Sequence, residues 1–340
     1  MEIQSVVFPS VIEAYSAQLK GVTRYELNGL KIQEGNTDYL IGNLALTEGK
    51  NPHKAINSYV NEADYGLLIK AALLVATKFI HDPLIVTTGF PLSTININKR
   101  QAIEYISGID NIVFDSSPAG GDGYKTRQLD VADVSILGEI EAANKAVRDI
   151  PEKKLSKFFI VSLGYGTVEV ALSTPDGMVK RTMSSGSGLR YAINRAMDQL
   201  NESHYLGLRT EHQFDIAFQK GKIVVNRRPL DLTEIRSRTL KNYYNEVISS
   251  LIRNHWSDED FNTAESLVLV GGGAHYKDLV NCFKEEFDSI LEVFIPERPA
   301  FQASIGYCLN SLELAEGNKS VCVGIDIGNA QTVISLFKDS

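Results

Sequence analysis

Cysteine is scarce in this chain. Only Cys282, Cys308 and Cys322 occur, odd in number and without metal-ligand spacing, so neither a disulfide framework nor a thiolate metal centre is expected. That usage fits a reducing cytoplasm. Long uncharged apolar runs are also missing. The most apolar helix candidate, Gly66 to Ile80, carries Lys70 and Lys78, and its uncharged stretch from Ala71 to Thr77 is far shorter than the roughly 20 residues a membrane span needs. It reads as a buried core helix. The opening segment, Met1 to Pro9, lacks the basic-then-apolar layout of an export signal and reads as a strand. Basic excess is absent too: 34 Lys and Arg stand against 42 Asp and Glu, a net charge of −8, which argues against direct binding to nucleic acid phosphates.

What the chain does have is length and repetition. At 340 residues and 44% hydrophobic content it exceeds the usual limit of roughly 250–300 residues for one core, so two lobes are expected. The segment Ser162 to Leu172 lines up with Asp326 to Leu336 at a constant offset of 164 residues. Such self-similarity, at an offset of about half the chain, predicts two related lobes, each offering a glycine hairpin to one ligand. The second copy stands at the chain's end, where a phosphate-gripping turn of this type normally opens a protein. The order of the lobes is therefore read as rotated.

Strand and helix signals alternate, which predicts an α/β fold. In the first lobe, strands are expected at Ser5–Phe8, Tyr39–Gly42, Leu84–Thr88 and Ile112–Phe114, with another ending near Val131. Tyr25-Glu26-Leu27 and Leu30-Lys31-Ile32 flank Asn28-Gly29, a type I′ hairpin signal. A helix carries Ala102, Ile103 and Ile106, and Val134 to Arg148 reads as helix through Ile136, Leu137, Ile140, Ala143 and Val147. Pro151 to Lys154 marks a lobe boundary. Beyond it come a strand at Phe158–Val161, a turn at Thr174–Gly177 and a helix carrying Ala192, Ile193, Ala196 and Leu200. The stretch from Asn201 to Arg228 reads as irregular, with Arg227-Arg228 as a solvated pair. Asp231-Leu232-Thr233-Glu234 looks like a capped helix start, Leu267–Val270 a buried strand, and Phe301–Leu314 a helix tethered by Glu316–Ser320 to the last strand.

Three glycine turns carry the chemistry. In the terminal one, Gly328 would let the backbone bend close to a phosphate, with amides from Asn329, Ala330, Gln331 and Thr332 as donors. Asp326, at the end of the preceding strand, would hold Mg²⁺ through water, since magnesium prefers hard oxygen ligands. The internal copy offers Gly164, Tyr165, Gly166 and Thr167. Gly271, Gly272, Gly273 and Ala274, after a buried strand, would let an adenosine lie on the backbone. An ordinary β-hairpin or strand-to-helix turn is the plain alternative for each, and the joint order and spacing favour the ligand. His275 and Trp256 read as a helix-start residue and a packing residue.

These residues resemble the superfamily of actin, sugar-kinase and heat-shock chaperone ATPases. Gly324 to Val333 looks like its first phosphate motif, Val161 to Val170 like its second, and Leu267 to Ala274 like its adenosine motif. Within it, Tyr39–Ala45, Leu84–Leu92 and Phe301–Tyr307 resemble the ParM, plasmid-segregation and archaeal actin-like group. The likeness covers nearly the whole chain once residues 321–340 are placed before Met1, as in a circularly permuted protein cut at an exposed hairpin tip. It implies an actin-like ATPase fold of two lobes, each a mixed five-stranded sheet flanked by helices, with nucleotide in the cleft. Lobe I would be 1–148 with 298–340, including a small subdomain near 18–64. Lobe II would be 149–297, with one near 201–261.

The resemblance also implies ATP or ADP (GTP as an alternative) with Mg²⁺, hydrolysis coupled to filament self-assembly, and an adaptor protein linking the filament to plasmid DNA or serving cell organisation. A carboxylate at the start of the connecting helix would position the attacking water. Matching Val131–Gly138 to that motif assigns the role to Asp133, which would also cap the helix. Gly186 and Gly188 match the turn near ribose and phosphate. Departures point to slow or altered hydrolysis: Ser162 replaces the metal-side Asp of the second motif, Tyr165 replaces a glycine and Val168 a threonine. Val333 stands where actin and ParM carry a Lys. A non-hydrolysing nucleotide-binding scaffold and a small-molecule kinase of the same superfamily remain the alternatives, although no sugar-binding motif is visible.

Overall fold

A buried helix, Ala63–Ala76, organises the first part of the fold. Apart from Asp64 and Lys70 its sequence is largely apolar, and eleven of its residues from Tyr65 to Ala76 are buried. The computed structural model that shows this describes residues 2–16, 19, 27–54, 59–80, 83–151, 153–203, 205, 206, 208 and 211–338. These divide into two units: Met1–Ala142 with Ser304–Ser340, and Ala143–Ala303. Both divisions fall inside helices, Glu139–Arg148 and Gln302–Leu314, rather than at Pro151–Lys154, of which Glu152 lies outside the described residues.

In the first unit, five strands pair in the order Ile3–Pro9, Gln331–Phe337, Cys322–Ile327, Leu84–Phe90 and Val131–Gly138. The first three are antiparallel and the last three parallel. Val323, Ile325, Ile334 and Leu336 share one core with Leu67, Leu68, Leu74 and Val75 of the buried helix. The chain's two ends lie side by side, because Ile3 pairs with Phe337 and the Lys338 amide donates to the Glu2 carbonyl at 3.1 Å. A second, six-stranded sheet follows directly, ordered His53–Lys54, Val11–Ala14, Thr37–Gly42, Gly29–Glu34, Asn111–Asp115, Tyr124–Gln128. Its hairpin turns at Gly35-Asn36, with Gly35 at φ 58°, and not at Asn28-Gly29, since Gly29 already begins a strand opposite Gly42. Tyr25 and Glu26 of the expected hairpin lie outside the described residues.

The second unit repeats the plan. Gly177–Met178, Thr167–Thr174, Phe158–Leu163, Ser266–Val270 and Glu292–Phe294 pair in that order, again antiparallel at first and parallel at the end, with Ser184–Ser187 added beside Thr167–Thr174. Trp256 is buried here, its ring stacked 4.1 Å from that of Phe159.

Two segments differ from the sequence reading. Val134 to Gly138 belongs to a strand, and the helix begins at Glu139. Val134, Ile136 and Gly138 alternate inward, and a parallel partner at Leu84–Phe90 overrides a pattern that also suits a helix. The stretch read as irregular contains the helix Glu211–Lys220 and the hairpin Lys222–Val225 with Arg228–Asp231. That hairpin turns through Asn226 and Arg227 at φ 50° and 62°, a two-residue turn built without glycine.

Candidate functional site

The terminal hairpin is closed by the Gly328 amide donating to the Gln331 carbonyl at 3.1 Å. Ser10, fully buried, braces it from outside: its amide donates to the Ala330 carbonyl at 3.2 Å, and its hydroxyl reaches the Gly328 carbonyl at 2.6 Å and Thr332 Oγ1 at 3.0 Å. Sequence reasoning passed over Ser10, although a Ser after Pro9 at a strand end was visible. Thr332 lies within the strand, buried and in register with both Phe8 and Ile327, and the residues between the two strands are 328 to 330.

Asp326 sits on the strand before this turn, directly across from Val333. Gly324, on the same face, lies so close to Ser304 and Cys308 that an added Cβ would meet the Ser304 carbonyl at 2.2 Å. Asp326 is partly exposed. Burial of its carboxyl among protein atoms pushes the pKa up to about 7.

The internal hairpin repeats the closing bond at the same offset: the Gly164 amide donates to the Thr167 carbonyl at 3.0 Å. Its loop carbonyls are held by the start of the next helix, Arg190–Asn201. The amides of Gly188, Leu189 and Arg190 donate to the carbonyls of Gly166, Gly164 and Tyr165 at 3.0, 3.1 and 2.9 Å. Gly188 is therefore a packing glycine, since a Cβ there would lie 2.5 Å from the Thr167 nitrogen and from the Tyr165 oxygen. Gly186 stands in a strand opposite Val168, not in a turn.

The carboxylates of the two hairpins are exchanged between strands. Asp326 faces Val333, whereas Ser162, at the position equivalent to Asp326, faces Glu169, the equivalent of Val333. Glu169 is 1% exposed and also lies opposite Ser185. Each hairpin thus carries one acidic side chain at the same level.

The triple-glycine turn lies against the internal hairpin. Gly271 has φ 84° and donates to the Pro299 carbonyl at 2.7 Å, and a Cβ on it would sit 2.6 Å from the Leu163 carbonyl. A Cβ on Gly273 would meet Leu163 Cβ at 2.5 Å. Gly272 differs, being exposed with nothing within 4 Å of an added Cβ, so it is the member of the turn that can receive a ligand. Ala274 is buried.

Asp133 is misplaced for the role read from sequence. It is exposed, lies within Val131–Gly138 and accepts the adjacent Val134 amide at 2.8 Å. Its register partner is Ile85, which pairs with Cys322. Asp326 is four residues further along that strand, roughly 13 Å higher at 3.3 Å per residue. At the correct end, Gly138 pairs with Phe90, and the next residues, Glu139 and Glu141, fill the first turn of the helix. The Glu141 carboxylate accepts the Gly138 amide at 3.1 Å, while Glu139 leads the helix at the edge where the terminal hairpin turns. The error follows directly from reading strand residues 134–138 as helix.

Among the described residues, no group of three or more His, Cys, Asp and Glu side chains is gathered for a metal. One partly exposed carboxylate beside a backbone turn still suits magnesium, which keeps most of its waters and takes one or two protein oxygens with a phosphate. No helix in the described residues is long and apolar enough to cross a membrane.

No protein-family model matches the chain, and no curated protein matches it. Solved structures do. An archaeal actin homologue, Ta0583, superposes with a TM-score of 0.69 at 19% identity, covering 92% of each chain. A pCBH ParM described as a non-polymerisable quadruple mutant gives 0.71 at 20% identity, over 92% of this chain and 93% of that one. A ParM from a 15-stranded Clostridium botulinum filament gives 0.69 at 18% identity, over 91% and 93%. The archaeal homologue is also known in complex with ADP. At such identities the likeness carries the architecture: the chain has the actin-like α/β fold of the ParM type.

Proposed function

We propose that this chain binds a purine nucleoside triphosphate with magnesium, hydrolyses it, and assembles with its own copies into filaments. The observation that carries the reading is one device built twice, a glycine amide closing a four-residue turn after a buried strand, at Gly328–Gln331 and Gly164–Thr167. Phosphate contacts are assigned to the amides of those two loops and nucleoside contact to Gly272. Asp326 is the residue that would hold the metal, and a bound ion would supply charge neutralisation on the phosphates. Glu139, in place of Asp133, orients the attacking water, because it leaves the sheet at the hairpin's end.

Self-assembly is supported by the ParM filament among the similar structures and by the non-polymerisable mutant, whose description implies a polymerising parent. ADP is bound by the archaeal homologue, which supports a purine nucleotide here. The net charge of −8 suits attachment to plasmid DNA through an adaptor protein, in the cytoplasm, rather than by direct contact. Circular permutation is part of the same reading: the hairpin that opens the second unit closes the first, and the ends at Glu2 and Lys338 are hydrogen bonded.

Ser162 favours a second reading, a scaffold that binds nucleotide without turning it over. Sedimentation with and without Mg-ATP, alongside phosphate release, separates the two. Pelleting with phosphate release supports the filament ATPase; nucleotide binding with neither supports the scaffold; absence of nucleotide binding overturns both.

A further inference from the structure

Ser10 is the single residue between the strand Ile3–Pro9 of the five-stranded sheet and the strand Val11–Ala14 of the six-stranded one. It is wholly buried, as is Thr332, which its hydroxyl meets. A serine hydroxyl has one proton to donate, and at 2.6 Å that proton goes to the Gly328 carbonyl, which has none. Across the 3.0 Å contact the Thr332 hydroxyl must then be the donor. The result is a directed chain, Thr332 Oγ1–H to Ser10 Oγ–H to the Gly328 carbonyl.

The peptide between Gly328 and Asn329 is planar and trans, so its carbonyl and its N–H point in opposite directions. Anchoring the Gly328 carbonyl on Ser10 aims the Asn329 amide away from Ser10. Glycine at 328 makes such an anchor necessary, because a peptide next to glycine rotates with little steric resistance. The Ser10 amide, bound to the Ala330 carbonyl at 3.2 Å, fixes the far side of the loop.

We propose that Ser10 is a positioning residue for phosphate binding: its hydroxyl sets the Gly328–Asn329 peptide so that the Asn329 amide faces a nucleotide phosphate. This rests on the reading of the terminal hairpin as a phosphate loop. Placed between the two sheets of its unit, Ser10 also ties the state of that loop to the strand Val11–Ala14.

The test compares wild type, Ser10→Ala, Ser10→Thr and Thr332→Val by equilibrium binding of Mg-ATP and of AMP, with thermal midpoints measured without ligand. Ser10→Ala is expected to weaken Mg-ATP about tenfold, the effect of one buried hydrogen bond, and to leave AMP within about twofold. Ser10→Thr keeps the hydroxyl and restores Mg-ATP binding, and Thr332→Val falls between. Equal weakening of both ligands in step with a lowered midpoint, or unchanged Mg-ATP binding in Ser10→Ala, overturns the positioning role. Wild type that binds neither ligand overturns the phosphate-loop reading itself and the proposal with it, a result distinct from the other two. If Ser10→Ala does not fold, Thr332→Val decides: unchanged Mg-ATP binding rejects the relay.

Discussion

Glu169 stands directly across the internal hairpin from Ser162, on the strand opposite to the one that carries Asp326 in the related terminal hairpin. Side chains paired across an antiparallel ladder share one face, with Cβ atoms about 4.5–5.5 Å apart. A glutamate there can present its carboxylate where the usual aspartate is missing. Glu169→Gln is expected to reduce the magnesium dependence of nucleotide binding, measured as the ratio of ATP affinities with Mg²⁺ and with EDTA, by about tenfold. In a Glu169→Gln background, adding Ser162→Asp is expected to restore it. An unchanged ratio in Glu169→Gln rules out the exchange.

The glycines of the site separate into those that pack and those that can meet a ligand. Gly188→Ala places a Cβ 2.5 Å from two backbone atoms of the internal hairpin, and Gly271→Ala places one 2.6 Å from the Leu163 carbonyl at a φ of 84°. Backbone cannot yield as a side-chain tip does, so each is expected to cost about 2 kcal/mol or more in chemical denaturation. Gly272→Ala meets nothing within 4 Å and should stay within about 0.5 kcal/mol of wild type while weakening nucleotide binding.

That division explains what was legible in the sequence. Both hairpins could be found because a buried apolar strand running into Gly-x-x-x leaves a periodic signal, and Val321–Ile327 and Phe158–Val161 did so. The roles of Gly186 and Gly188 could not, because a glycine is needed equally where a ligand approaches and where a helix start packs on a loop. Glu169 was hidden as a polar residue in an otherwise apolar strand, and Ser10 because its partners are more than 300 positions away. The sequence reading reaches Asp133 through one local error. Ile136, Leu137 and Ile140 fit helical spacing, and only pairing with Leu84–Phe90 reveals a strand.

Asp326 gives the site a pH signature. Its folded pKa of about 7 lies above the ordinary aspartate range, so the folded protein holds this proton more tightly than the unfolded chain. The sign is the reverse of a salt-bridged aspartate: stability from this group is fully present below pH 4 and is lost as pH rises through about 7. Asp326→Asn removes the charge and is expected to raise the thermal midpoint of the unliganded protein at pH 8. The difference should vanish near pH 4. If the proposed metal role holds, the same variant loses magnesium-dependent nucleotide binding; retained magnesium dependence overturns that role.

The choice between Glu139 and Asp133 tests whether strand register, rather than local motif, locates the water-orienting carboxylate. Asp133 lies level with Cys322, at the end of the parallel strands away from the terminal hairpin, and its carboxylate accepts its own neighbour's amide. Glu139 follows Gly138 at the end where the hairpin turns and opens the helix there. Glu139→Gln is therefore expected to slow phosphate release by about 10²–10⁴-fold, the range for a positioned acid–base group, with nucleotide affinity retained. Asp133→Asn should leave the rate within about twofold. Single-turnover phosphate release with Mg-ATP reads both. A slow Asp133 variant beside a normal Glu139 variant would mean that the attacking water is held from the far end of the sheet, which the register cannot accommodate without moving Val131–Gly138 by four residues.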